Sequence, residues 1–187
     1  EKTGVTDYTV IGVDPDDEFL SEYRDIELPG NAVMIFVPGP LGNKLSAMLG
    51  AFPSEKAYGL LADDVVPATH GWDRLLAGAA KLHGVAWAND GIVDPTHNKR
   101  HGHFFIDGDL VRAVGYIVPP GINHLYFDTA WIEIADALNA GIYCEDVLLR
   151  HMHFSAGLAE YDATYQAHSV YRDSDAQAFA GWKTTLG

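Results

Sequence analysis

The sequence contains very little cysteine: Cys144 is the only one among 187 residues. One cysteine cannot close a disulfide within the chain, and it cannot build a zinc site from cysteine ligands. Such cysteine usage is typical of proteins from a reducing compartment. We therefore expect a cytoplasmic protein.

Basic residues are also scarce. The chain has 12 Lys and Arg against 26 Asp and Glu, a formal net charge of -14. Nucleic acids and anionic membrane surfaces are bound through basic patches, so neither is an expected partner. No apolar run approaches the length of a membrane-spanning helix. The chain begins with Glu1 directly before a strand-like segment, which suggests a fragment or a processed product.

Hydrophobic residues make up 48% of the chain, enough for a sizeable core in one domain. Short apolar stretches alternate with segments whose apolar residues recur every three or four positions, which predicts an α/β domain. Predicted strands cover 8–14, 32–37, 85–91, 104–106, 141–144 and 147–149. Predicted helices cover 43–52, 72–83, 108–114 and 174–182, and another begins at 128. We expect the helix over 174–182 to pack on the surface.

The stretch from Tyr58 to Trp72 interrupts an apolar strand with two adjacent carboxylates, Asp63 and Asp64, before a turn and a helix. In open α/β sheets, ligands bind at the carboxyl ends of strands. Hard divalent cations take carboxylate oxygens and commonly keep water and phosphate oxygens as further ligands. The pair therefore suggests a metal that holds a phosphorylated ligand. The alternative is a solvated turn or a helix N-cap.

Two segments resemble GT-A fold glycosyltransferases, specifically the family 2-like proteins that bacteriophages often encode. The first is Leu60 to Pro67 followed by Gly71-Trp72-Asp73, which is similar to the Asp-x-Asp region of that family. The second runs from Gly115 to Trp131 and contains Pro-Pro-Gly, His-Leu-Tyr and Asp-x-x-Trp patterns. The resemblance implies a Rossmann-related mixed sheet flanked by helices over residues 1–187. The family's first strand has no counterpart here, so we expect part of the donor pocket to be missing.

The resemblance implies transfer of a sugar from a UDP- or GDP-linked donor to an unknown acceptor hydroxyl, with inversion. Asp128 stands where inverting members place the general base, and the alternative is a helix N-cap. Residues 1–92 would form the nucleotide- and metal-binding half, and residues 93–187 the acceptor half. A C-terminal lid is expected over 162–171. A phage-encoded enzyme would act in the host cytoplasm or be associated with the virion.

The resemblance also implies a Mn²⁺ or Mg²⁺ ion held by Asp64 and His153, with Asp63 close by. His151 and His153 lie on one face if the segment is extended. His151 is the second choice, as a further metal ligand or a phosphate contact. Carboxylate oxygens and an imidazole suit Mn²⁺ better than Ca²⁺. The alternative for the two histidines is structural packing against aromatic neighbours.

The resemblance also implies further contacts to the donor, from residues near the ends of other predicted strands and helices. The candidates are Asp14, Asn43, Lys44, Trp87, Asp90 and His103, in addition to Asp63. Asn43 has the alternative role of a helix cap, and Asp90 that of an Asn-Asp-Gly turn.

The segment 94–103 is rich in histidine, with His97, His101 and His103. Their spacing matches no familiar zinc ligand set. We expect a mobile loop that covers the donor, with Lys99 and Arg100 near phosphate.

One position departs from the family pattern: Ala62 stands where many relatives have a carboxylate for the nucleotide. This residue and the missing strand favour a non-catalytic module that binds carbohydrate or forms part of a virion or larger assembly. Asp64, Asp128 and His153 favour the enzyme. A glycoside hydrolase would instead need two carboxylates flanking the sugar and no metal.

Overall fold

The structure is a computed structural model that describes residues 8–92, 98–100, 102–154, 157–161, 166 and 169–186. The strands are β1 (Thr9–Val13), β2 (Ala32–Phe36), β3 (Ala57–Leu60), β4 (Val65–Pro67), β5 (Val85–Asn89), β6 (Phe104–Asp107) and β7 (Gly141–His151). The α-helices are α1 (Leu20–Asp25), α2 (Leu41–Ala51), α3 (Trp72–His83), α4 (Gly108–Val114), α5 (Phe127–Leu138) and α6 (Arg172–Lys183). Short 3₁₀ helices cover Ser169–Tyr171 and Thr184–Leu186.

The described strands form a mixed α/β arrangement with two sheets. Five strands lie in the order β3-β6-β5-β7-β4, and β1 pairs with β2 in a separate two-stranded sheet. In the larger sheet β5 and β7 run parallel, whereas the other neighbours are antiparallel. β1 and β2 are parallel to each other.

The side chains of β5 alternate between the two faces of the larger sheet. Val85 and Trp87 belong to the apolar cluster that includes Trp131 of α5. Ala86 and Ala88 belong to the opposite cluster, which includes Leu76 of α3. Because successive strand residues point to opposite faces, β5 is covered on both sides. This explains why it reads as a continuous apolar run.

The predicted α/β class and most of the predicted segments are confirmed. The two strands predicted at 141–144 and 147–149 are one strand, β7. Its pairing with β5 shifts register between Ala88 and Asn89, which pair with Cys144 and Leu148. This irregularity accounts for the polar interruption in the sequence. Among the described residues, no helix has the length and apolarity needed to cross a membrane.

The last helix, α6, packs on the surface as predicted, and two of its residues, Asp175 and Trp182, are buried. Trp182 of α6 is buried in the same cluster as Trp131. Its indole nitrogen donates a 2.7 Å hydrogen bond to the hydroxyl of Tyr116.

Candidate functional site

The start of β4 and the ends of β5 and β7 lie together at one end of the larger sheet. The antiparallel pairing of β4 and β7 sets Val65 opposite His151, so the preceding residue, Asp64, also lies beside the end of β7. The backbone N–H of Met152 donates to the carbonyl of Asp64 at 2.9 Å. The N–H of His151 donates to the carbonyl of Asp90, directly after β5, at 2.9 Å.

Asp64, His103 and His151 bring their side chains together there, and we call them the Asp64–His103–His151 cluster. One ligand atom from each residue lies within 4.8 Å of the other two. Asp64 Oδ2 and His151 Nε2 are 3.1 Å apart. The rings of His103 and His151 meet edge to face, with centroids 4.7 Å apart.

His103 is held at the buried side of this cluster, with 5% of its surface exposed. Its backbone carbonyl accepts a hydrogen bond from Ala88 of β5. Its Nε2 atom is buried and has no hydrogen-bond partner in the described part of the chain. Burial, assisted by neighbouring His151, lowers the pKa of His103 from 6.5 to about 4, although Asp64 and Asp90 act in the opposite direction. The ring is therefore neutral at pH 7.

The cluster fits a divalent transition-metal ion. One carboxylate and two imidazoles form a mixed oxygen and nitrogen set, which suits ions such as Mn²⁺ or Zn²⁺ better than Ca²⁺. A metal would also give the buried Nε2 of His103 a partner, since a neutral imidazole nitrogen is a metal ligand. Three protein ligands leave positions for water or for oxygen atoms of a bound molecule.

The residues that the structure brings together differ in part from those that the sequence favoured as ligands. His153 is not one of the three residues of the cluster. It follows the end of β7, and its ring lies 4.3 Å from that of Phe154 and 4.9 Å from that of His151. His151, the second choice from the sequence, lies in the cluster, whereas the favoured His153 lies next to it.

Asp63 is exposed and lies outside the cluster. Burial raises the pKa of Tyr23 in α1, and the carboxylates of Asp17 and Asp63 raise it further. Asp63 therefore lies close enough to Tyr23 to act on it electrostatically, whereas Asp64 contacts His151.

Two of the predicted donor contacts pair with each other. The Nζ atom of Lys44 lies 2.9 Å from Oδ2 of Asp14 and donates to the carbonyl of Gly39 at 2.5 Å. Lys44 is 9% exposed, so its charge is largely neutralised inside the protein. The predicted cap at Asn43 is wrong: the N-cap residue of α2 is Pro40, and Asn43 lies in the first turn.

Trp87 and Asp90 are both buried, and of the two only Asp90 lies beside the cluster. Trp87 is 0% exposed, so its ring cannot contact a sugar in this conformation. Asp90 is buried beside His103, where its carboxylate raises the pKa of that histidine. The carboxylate also accepts a hydrogen bond from Ile92 at 3.0 Å. Asp90 therefore makes both the predicted turn and a contact at the edge of the cluster.

The cations predicted to lie near phosphate contact protein groups instead. Arg100 makes a double hydrogen bond to the carboxylate of Asp136 in α5. Lys99 lies over the ring of Tyr143 at 5.3 Å. His97 and His101 lie outside the described residues, as does most of the predicted lid over 162–171.

Asp128 is the second residue of α5 and is partly buried. It is not the N-cap, because that position belongs to Tyr126. Its Oδ1 atom accepts a hydrogen bond from the N–H of Thr129 at 2.7 Å. The preceding residue, Phe127, packs against Phe104, which directly follows His103. The start of α5 therefore packs against the start of β6.

Sequence reasoning missed the third member of the cluster and one buried acid. His103 was expected beside the donor sugar, and its position among several loop histidines did not mark it as a ligand. Asp175, fully buried in α6, carried no signal, because an acidic residue in the first turn of a helix is common. Comparison of the chain with protein-family models, curated proteins and solved structures gave no match.

Proposed function

We propose that this protein is a metal-dependent glycosyltransferase with a GT-A-like fold, which transfers a sugar from a nucleoside-diphosphate donor with inversion. The observation that carries the proposal is the Asp64–His103–His151 cluster, whose ligand atoms converge within 4.8 Å. The mixed α/β fold supports it, because the cluster lies at strand ends, where such folds bind ligands.

Asp64, His103 and His151 would hold a Mn²⁺ or Mg²⁺ ion, and their imidazoles favour Mn²⁺. When bound, the ion would offset the charge that develops on the leaving diphosphate. This assistance matters because the protein itself carries a formal net charge of -14. Lys44 offers little help, since Asp14 already neutralises it.

Asp128 would act as the general base. Its carboxylate takes the proton of the acceptor hydroxyl while that oxygen bonds to the anomeric carbon of the donor sugar. The bond from that carbon to the diphosphate breaks, and the nucleoside diphosphate leaves with the bonding electrons. Asp90, beside the cluster, would orient the sugar, and Trp87 would support the site from the core.

The proposal is tested by titrating UDP and then GDP into the protein by calorimetry, with and without Mn²⁺. We expect binding that requires the metal and weakens at least about tenfold in Asp64→Asn and His151→Gln. Matched controls are Asp25→Asn and His83→Gln, which change exposed residues of the same type outside the cluster. Both controls should bind like the wild type.

Two results would contradict different parts of the proposal. If Mn²⁺ does not bind, or binds equally well to Asp64→Asn, the cluster is not a metal centre. If Mn²⁺ binds at the cluster but neither nucleotide follows, the transferase assignment fails for these donors. A metal-containing carbohydrate-binding module would then explain the protein better.

A further inference from the structure

The loop of residues 122–125 contacts the three helices α2, α5 and α6. Asp175 of α6 lies at the centre of this junction. The carboxylate of Asp175 is 0% exposed. Its Oδ1 atom accepts from the backbone N–H and the side-chain amide of Asn123, both at 2.9 Å. Its Oδ2 atom accepts from the N–H groups of His124 and Leu125, both at 2.8 Å.

This arrangement is a backbone anion site that the protein fills with its own carboxylate. Successive N–H groups that converge on one point bind anions, and hydrogen bonds to an ionised acceptor are stronger than neutral ones. Burial alone would raise the pKa of Asp175, but the hydrogen bonds from Leu125, Asn123 and His124 outweigh burial and lower it. The carboxylate is therefore ionised at neutral pH and is stabilised by four hydrogen bonds.

The loop leads directly into the helix that carries Asp128. Tyr126 is the N-cap of α5 and has a φ of 66°, an uncommon conformation for a residue with a side chain. Its ring stacks on Phe179 of α6, with centroids 5.5 Å apart. Its carbonyl accepts the hydrogen bond from Ala130 that begins the helix. The helix α6 thus holds Tyr126 through its ring, and it holds Leu125 through Asp175.

The other side of the loop contacts α2. The carbonyl of Asn123 accepts a 2.7 Å hydrogen bond from Gly42 in the first turn of α2. A Cβ atom at Gly42 would lie 2.7 Å from the carbonyl oxygen of Ile122, so only glycine permits this approach. The same turn of α2 carries Lys44.

We propose that Asp175 is a positioning residue: by holding the 122–125 loop, it orients the first turn of α5, and with it Asp128, against α2. The effect on sugar transfer rests on the proposed function, whereas the effect on the loop and on α5 does not. Asp175 therefore acts through Asp128 and contacts neither substrate nor metal.

The test uses Asp175→Asn, which keeps the size of the side chain but replaces one accepting oxygen by an NH₂ group. Each oxygen of Asp175 accepts two hydrogen bonds, and an NH₂ group can accept neither of them. The matched control is Asp173→Asn, an exposed residue in the same helical turn. Amide hydrogen exchange is measured residue by residue in both variants and in the wild type.

In Asp175→Asn we expect exchange at least about tenfold faster from Leu125 to Ala130, with unchanged exchange in β5 and β7. Asp173→Asn should match the wild type. Unchanged exchange at Leu125 to Ala130 would overturn the proposal. Equal acceleration in β5 and β7 would also overturn it, because Asp175 would then stabilise the whole fold rather than position α5.

A kinetic measurement separates positioning from binding. For whichever of UDP-glucose and GDP-mannose the wild type consumes with Mn²⁺, kcat should fall at least about tenfold in Asp175→Asn while KM changes less than about twofold. A kcat equal to that of the wild type would overturn the link to Asp128. A wild type that binds neither nucleotide with Mn²⁺ would contradict the proposed function for these donors, and the exchange experiment would still decide the role of Asp175.

Discussion

Asp63 and Asp64 are adjacent in the sequence, yet their side chains have different surroundings. Asp64 forms a 3.1 Å contact with His151, whereas Asp63 is exposed. Asp64 directly precedes Val65, which the pairing of β4 with β7 sets opposite His151, and this places Asp64 beside that histidine. No local property of the pair Asp-Asp contains this information. Only the family resemblance placed Asp64 ahead of Asp63 as a metal ligand.

The buried imidazole of His103 makes a prediction about pH. Its pKa of about 4 in the folded protein lies below the ordinary 6.5. As the pH falls from about 6.5 to about 4, the unfolded chain therefore takes up a proton that the folded protein does not. The free energy of unfolding should fall by up to about 3 kcal/mol over this range.

The measurement is urea unfolding at several pH values, in the presence of a chelator, for the wild type and for His103→Gln. The other acidic groups titrate in both proteins, so the difference between the two curves isolates His103. That difference should change between pH 6.5 and 4 and be flat above pH 7. His83→Gln, which removes an exposed histidine, should leave the curve unchanged. Parallel curves for the wild type and His103→Gln would show that His103 is protonated normally.

At the scale of the elements, the sequence predicted the helices and strands whose apolar residues recur with a regular local spacing. The bounds of α3 and α4 agree with the prediction to the residue, because apolar spacing and flanking glycines mark both helices. β4 was missed because it has three residues, ends in Pro67 and pairs only with β7. The cluster depends on such long-range pairing, and local patterns could therefore suggest its members only one at a time.

Glycine positions in two helices give a prediction about packing. A Cβ atom at Gly108, the first residue of α4, would collide with the backbone carbonyl oxygen of Glu55. The N–H of Gly108 also donates to Lys56 at 2.9 Å, so the backbone cannot easily move away. We expect Gly108→Ala to lower the free energy of unfolding by at least about 2 kcal/mol.

Gly78 in α3 is the matched control, because a Cβ atom there meets nothing within 4 Å. Gly78→Ala should raise the free energy of unfolding by about 0.5–1 kcal/mol, since alanine favours the helix. Chemical denaturation of the two variants is the measurement. If Gly108→Ala proves as stable as the wild type, residues 55 and 56 do not pack on α4 as described.

At the scale of the whole molecule, negative charge dominates. A formal net charge of -14 gives the surface a potential that attracts cations and repels free nucleotides. A general attraction of this kind is weak and is screened by salt. A metal at the Asp64–His103–His151 cluster should instead be held by directed bonds that salt screens little. Salt dependence therefore separates specific metal binding from a diffuse cation atmosphere.

Thermal unfolding in 0.15 M salt makes this distinction. At 100 times its Kd, Mn²⁺ should stabilise the folded protein by about 2.7 kcal/mol. For a domain of this size that gain corresponds to a rise in Tm of about 5–10 °C. Asp64→Asn should lose the rise, whereas Asp25→Asn, which removes the same charge from an exposed position, should keep it. Ca²⁺ should give a smaller rise, because two of the three ligands are imidazoles. An equal rise for Mn²⁺ in Asp64→Asn would show that the ion binds elsewhere on the acidic surface.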